Sequence, residues 1–236
     1  MERRSNSQFF EGVWTATPIL FAVAFFGMLF GATAVNNGLT LGQTVLSSAV
    51  VFAGASQFVF LDLYNQQVPV WSVLVAVFAV NFRHVLYSAS VGRHMGEFST
   101  VSKYFAFFLL ADPTFGASEQ RTEKQKLMPS YYFGFATPFY PVWLLSTLIG
   151  GLSGNLISEP QALGMDMLLS IYFLSLLMGF RSRPNWLTSV LASGVVAILV
   201  YKYLGAPWHI LMGAFAGILV AAIIGKPQQS GDREVG

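Results

Sequence analysis

Two short polar runs interrupt long apolar stretches, and both carry groups able to do chemistry. Gly54-Ala55-Ser56-Gln57 lies in the middle of the apolar stretch Thr44–Leu61. Small residues beside a polar pair loosen a helix. A broken helix end presents free N–H groups and the positive end of its dipole, which suit a carboxylate. Freed backbone groups are tolerated in a bilayer only where protein or a cavity satisfies them. The plainer alternative is close helix packing with Ser56 bonded to its own backbone. The second run is Asn81-Phe82-Arg83-His84, followed by Tyr87 and Ser88. On a helix, Asn81, His84 and Ser88 share one face, and Arg83 and Tyr87 form a neighbouring stripe. A bilayer-buried Arg costs a few kcal/mol, so it normally faces a cavity or a partner. The alternative for Arg83 is a span that ends near Phe82, with the guanidinium reaching the interface.

A third run, Asp112-Pro113-Thr114-Phe115, breaks the stretch Tyr104–Ser118. Proline removes a helix N–H and bends or ends the helix. An acid at that break can pair with Arg83 or His84, or take up and release a proton. Its alternative is a solvated helix cap at the membrane surface. Asp166 is a further carboxylate in an apolar stretch, only a few residues from its start. His209, beside Trp208, reads as part of an interfacial aromatic belt.

The elements that must position these groups follow from composition. The chain has 236 residues, 54% hydrophobic and only 10% charged, against about 25% charged in soluble domains. Its mean hydropathy is +0.58. These values predict an all-α integral membrane protein. Apolar stretches of spanning length are Val13–Val35, Thr44–Leu61, Val70–Ser90, Leu127–Gly150, Ala162–Phe180, Trp186–Leu204 and Ala206–Ile224, with Tyr104–Ser118 short and broken. The expectation is seven or eight transmembrane helices, at least one of them broken. If the Gly54 region is re-entrant the count is seven. The whole chain, 1–236, reads as one membrane domain, with a polar tail over 226–236.

The halves look duplicated. Ala16-Thr17-Pro18 recurs as Ala136-Thr137-Pro138, Gly31 and Asn36 as Gly151 and Asn155, and Pro69-Val70-Trp71 is echoed by Pro184-Asn185-Trp186. The repeats would cover 12–118 and 127–225; such repeats are common in transporters. Gly27/Gly31, Gly150/Gly154 and Gly213/Gly217 are spaced for close helix packing. With eight spans and an internal N-terminus, most Lys and Arg of the short loops fall inside, and Arg93, Lys103 and Lys202 fall outside. That bias places both termini in the cytoplasm.

Composition also excludes. A net charge of +2, scattered in short loops, does not suit nucleic acid. With no cysteine there is no disulfide or thiolate site. No GxxxxGK loop and no HExxH spacing occurs, so neither ATP hydrolysis nor a metal is expected, nor any cofactor.

Gly54-Ala55-Ser56-Gln57-Phe58, Asn81-x-Arg83-His84-x-x-Tyr87 and the opening Gly12…Pro18 with Gly27 and Gly31 resemble the AzlC family, the large subunits of branched-chain amino acid exporters. The likeness runs from Gly12 to Ile224. It departs at Asp112-Pro113-Thr114-Phe115, where the family often has Asp-Glu-x-Phe. The resemblance implies proton-driven export of leucine, isoleucine and valine, with methionine a further candidate, across a bacterial inner membrane. It also implies a separately encoded small hydrophobic partner of the AzlD type, in a homo- or hetero-oligomeric assembly. Gly54, Ala55, Ser56, Gln57, Asn81, Arg83 and His84 would then bind the amino acid, and Asp112 and Asp166 would handle the proton. No residue is expected to be catalytic. Two other classes stay open: an intramembrane serine protease using Ser56 with His84 or His209, and a passive channel or assembly subunit.

Overall fold

The computed structural model describes residues 2–65, 68–154, 174, 177–178, 180–205 and 208–224. The described secondary structure is helical throughout and falls into two compact units, Met1–Met165 and Asp166–Gly236. Asp166 and the stretch expected at Ala162–Phe180 lie largely outside the described residues.

The first unit holds α1 (Glu2–Asn36), α2 (Leu41–Val51), α3 (Gly54–Asn65), α4 (Val70–Gly92), α5 (Thr100–Phe108), α6 (Asp112–Thr122), α7 (Pro129–Ala136) and α8 (Phe139–Ser153). The second holds α9 (Trp186–Leu204) and α10 (Trp208–Ile224). α7 and α8 form one bent rod, because Thr137 and Pro138 between them keep helical dihedrals while Pro138 lacks the N–H that would hold it straight. Four described helices are long and apolar enough to cross a membrane: Asn6–Asn36, Val70–Gly92, Pro129–Ser153 and Trp186–Leu204.

α1 and the α7–α8 rod run side by side in the same direction. Gly134 meets the backbone of Phe9, Gly150 that of Met28, and Gly154 that of Ala32. Gly31 lies so close that a Cβ there would sit 2.7 Å from the Gly151 nitrogen. No larger residue allows this approach, which is why the glycine spacing was legible as a packing face. At the end where α1 begins, the N-terminal end of the bundle, Arg121 forms a two-pronged ion pair with Glu11 and lies 4.1 Å above the Tyr131 ring.

The stretches Thr44–Leu61 and Tyr104–Ser118 do not form spans. Each gives two half-length helices of 9 to 12 residues folded into a hairpin. In a straight helix, residues 48 and 57 would lie about 13 Å apart along the axis. Here the Gln57 amide donates to Ser48 Oγ at 3.1 Å and to Ser47 Oγ at 3.2 Å, so α3 turns back beside α2. The turn is Phe52-Ala53, with Phe52 in the left-handed region at φ 39°. This hairpin starts from the far end of the bundle, where Leu41 packs at Gly151.

The α5–α6 hairpin starts from the N-terminal end. Its residues Asp112 and Glu119 pair in order with Tyr87 and Ser90, so α6 runs alongside α4 and in the same direction. The α4–α5 loop carries Glu97, which meets Lys126 at 3.5 Å. Loops expected on opposite sides of a membrane therefore lie at one end of the bundle. The eight-span alternation fails because α5 and α6, at nine and eleven residues, are each too short to cross about 30 Å of hydrocarbon.

In the second unit, Gly213 and Gly217 of α10 sit against Ala197 and Ser193 of α9. Large apolar side chains such as Phe21, Phe78, Tyr104, Ile198 and Ile223 are more than half exposed, the reverse of a soluble surface.

Candidate functional site

Arg83, deep in α4, places Nη2 3.1 Å from Asp112 Oδ2. One turn on, the Tyr87 hydroxyl donates to Asp112 Oδ1 at 2.9 Å. The i, i+4 spacing on α4 thus grips both oxygens of one carboxylate from one helix face. Asp112 is the first residue of α6, where the helix dipole favours a negative charge, and Pro113 beside it has no N–H to leave unpaired. The Tyr87 ring is held by stacking on Phe115, with centroids 4.1 Å apart and planes at 8°. Both charged side chains are largely buried, 18% and 10% exposed. A buried charge needs its partner, so neither can leave without cost.

The second polar cluster lies at the other hairpin. Ser48 Oγ and Thr147 Oγ1 share a hydrogen bond of 3.0 Å, linking α2 to α8. Gln57 joins them through its amide nitrogen. Gln57 Oε1 and Trp143 Nε1 are buried with no hydrogen-bond partner among the described residues. α3 begins beneath the Trp143 ring, where a Cβ on Gly54 would lie 2.7 Å from Cη2. The open acceptor on α3 and the open donor on α8 thus belong to two elements that touch at the Gly54–Trp143 contact.

The AzlC protein family model matches residues 18–157, more than half of the chain. The chain belongs to the AzlC family. Its relatives include the inner membrane protein YgaZ of Escherichia coli K12, 26% identical over 92% of this chain and 91% of the relative. An uncharacterized membrane protein of Archaeoglobus fulgidus is 26% identical over 97% of both. The branched-chain amino acid transport protein AzlC of Bacillus subtilis 168 is 21% identical over 92% of this chain and 85% of the relative. No solved structure matches. This AzlC-family chain is a membrane protein of a transport family.

Within this chain, the predicted site residues that the structure describes divide between the two clusters. Gly54 opens α3, and Ala55, Ser56 and Gln57 are buried. Ser56 donates to the Ala53 carbonyl at 2.9 Å, the local bond its alternative foresaw. Arg83 finds Asp112, as one of the two pairings expected for that acid. His84 turns elsewhere: its Nδ1 lies 3.2 Å from the Asn81 carbonyl and its ring meets Tyr87 edge-on. The Asn81 side-chain oxygen is buried with no partner among the described residues. Ser56 and His84 thus each engage a local carbonyl. Among the described residues no three metal-ligating side chains converge.

Sequence reasoning passed over Ser47, Ser48, Trp143 and Thr147. The signal was present, since both serines interrupt an apolar stretch as Ser56 does. Nothing in the chain order tied them to Thr147, 99 positions away.

Proposed function

We propose that this chain is the large subunit of a secondary transporter that exports leucine, isoleucine and valine, with methionine a further candidate, driven by the proton gradient. The observation that carries the proposal is the carboxylate of Asp112, gripped by Arg83 and Tyr87 at the tip of a broken hairpin. Half-helix ends at mid-depth are the usual place for substrate and coupling-ion sites in transporters. A proton added to Asp112 removes its charge and frees Arg83. A substrate carboxylate then competes for the guanidinium, and substrate occupancy becomes linked to protonation. The α3 N-terminus, Gln57 Oε1 and Trp143 Nε1 hold the zwitterion, and the surrounding Phe, Leu and Val side chains take its aliphatic part.

The chain sits in a bacterial inner membrane with the N-terminal end of the bundle in the cytoplasm. Two hairpins in place of two spans bring Arg93 and Lys103 to the same end as Arg121 and Lys126, which strengthens the charge bias for that orientation. Pairing of α1 residues with α7–α8 residues about 120 positions later supports a duplicated unit with parallel repeats. A separate AzlD-type subunit completes the transporter.

The test is efflux of preloaded labelled leucine, isoleucine, valine and methionine from cells. The chain alone, the chain with its small hydrophobic subunit, and both with Arg83→Gln are compared. Export that needs both chains, stops in the variant and collapses with an uncoupler is expected. Export unaffected by Arg83→Gln, or indifferent to the proton gradient, would overturn the mechanism.

A further inference from the structure

The two hairpins enter from opposite ends and meet tip to tip. Phe52, at the turn of α2–α3, stacks on Phe108, the last residue of α5, with centroids 6.3 Å apart. Tyr140 of α8 closes the group, 5.1 Å from the Phe52 ring and 5.4 Å from the Phe108 ring. Its hydroxyl donates to the Ala49 carbonyl at 2.9 Å, near the C-terminal end of α2.

Polar groups flank these rings on both sides. Towards the far end lie Ser47, Ser48, Gln57 and Thr147. Towards the N-terminal end lie Asp112, Ser90 and Glu119. An apolar constriction between two polar stretches blocks water and ions by dewetting. Phe52 also carries strain. Its left-handed backbone, φ 39° and ψ 43°, is one that a non-glycine residue adopts only at a cost. Such a conformation persists only where surrounding contacts enforce it, and it collects in switching regions. Loss of the ring contacts would let Phe52 relax and re-aim its side chain.

We infer that Phe52, Phe108 and Tyr140 form the shut constriction of the permeation path, and that the path opens where the two hairpin tips part. The inference concerns the barrier and stands whichever solute is carried.

The chain has no cysteine, so one reporter thiol can be placed without background. Ser47→Cys, half-buried beside Gln57, lies on the far side of the constriction. A charged, membrane-impermeant methanethiosulfonate is applied to vesicles of both orientations. In the otherwise native chain, labelling from the N-terminal side is expected to be slow. With Phe52→Ala and Phe108→Ala added, that rate rises by about tenfold or more, while labelling from the far side stays unchanged. Unchanged far-side labelling also reports an intact fold. No increase from the N-terminal side overturns the inference.

Should far-side labelling change, the pair Phe52→Cys with Phe108→Cys replaces the alanine variant. Bridged by a short bifunctional thiol reagent, it is expected to stop export, and undiminished export in the bridged protein overturns the inference. Accelerated labelling without export of any tested amino acid would leave the constriction standing and count against the substrate proposal alone.

Discussion

Charge removal at the Arg83–Asp112 pair is expected to cost stability from either side. Asp112→Asn keeps the volume of the side chain but leaves the Arg83 cation, 18% exposed, facing a neutral amide. Breaking a buried pair in this way costs about 3–5 kcal/mol. Arg83→Gln leaves Asp112 with two supports, the Tyr87 hydroxyl at 2.9 Å and the N-terminus of α6. A charge-assisted hydrogen bond contributes about 1.5–3 kcal/mol and the helix end about 0.3–1 kcal/mol. These supports offset part of the loss in the Arg83 variant. In the double variant both charges of the pair are gone, and the two single losses fail to add by about 1–3 kcal/mol. Thermal unfolding of the purified protein, followed by fluorescence of its five tryptophans, reads this out. A chain of this size shifts its midpoint by about 2–4 °C per kcal/mol, so Asp112→Asn should lower it by about 6–20 °C. Strict additivity in the double variant would show that the pair is not a buried, mutually dependent unit.

Other outcomes follow from close packing and from the second cluster. Gly150→Ala should lower the unfolding midpoint, because its Cβ would land on the Met28 backbone, and overpacking costs about 1–3 kcal/mol or more. Gly194→Ala, in α9 with nothing within 4 Å, should raise it, by about the 0.8–1 kcal/mol of helix propensity that alanine adds. Gly54→Ala should lose stability and export through the clash with Trp143, and Gly54→Ala with Trp143→Phe should regain much of the stability. Loss of the Trp143 N–H should leave export impaired in that double variant; full recovery would remove Trp143 from the substrate site. Thr147→Val keeps the shape but leaves the buried Ser48 hydroxyl short of a partner, an expected cost of about 1–3 kcal/mol in the same thermal assay.

The chain order by itself determined the membrane character, the helix class, the glycine faces and the two polar motifs. Each is local: hydropathy, three- and four-residue spacing, and proline or glycine at a break. Arg83 and Tyr87 were legible as a stripe because a helix repeats every 3.6 residues. Asp112 was legible as a helix break because proline stands beside it. Tertiary structure decided what the breaks do. A run such as Thr44–Leu61 has the length and hydropathy of a span whether it continues or folds back, and only the Gln57 contacts with Ser47 and Ser48 show the reversal. The same holds for Tyr104–Ser118: the first reversal brings the Arg93–Lys103 region to the N-terminal end, and the second returns the Arg121–Lys126 loop there. The meetings of Ser48 with Thr147 and of Phe52 with Phe108 and Tyr140 join segments far apart in sequence. Side chains of such ordinary type carry no mark of a partner, so only the packing of α8 against both hairpin tips could bring them together.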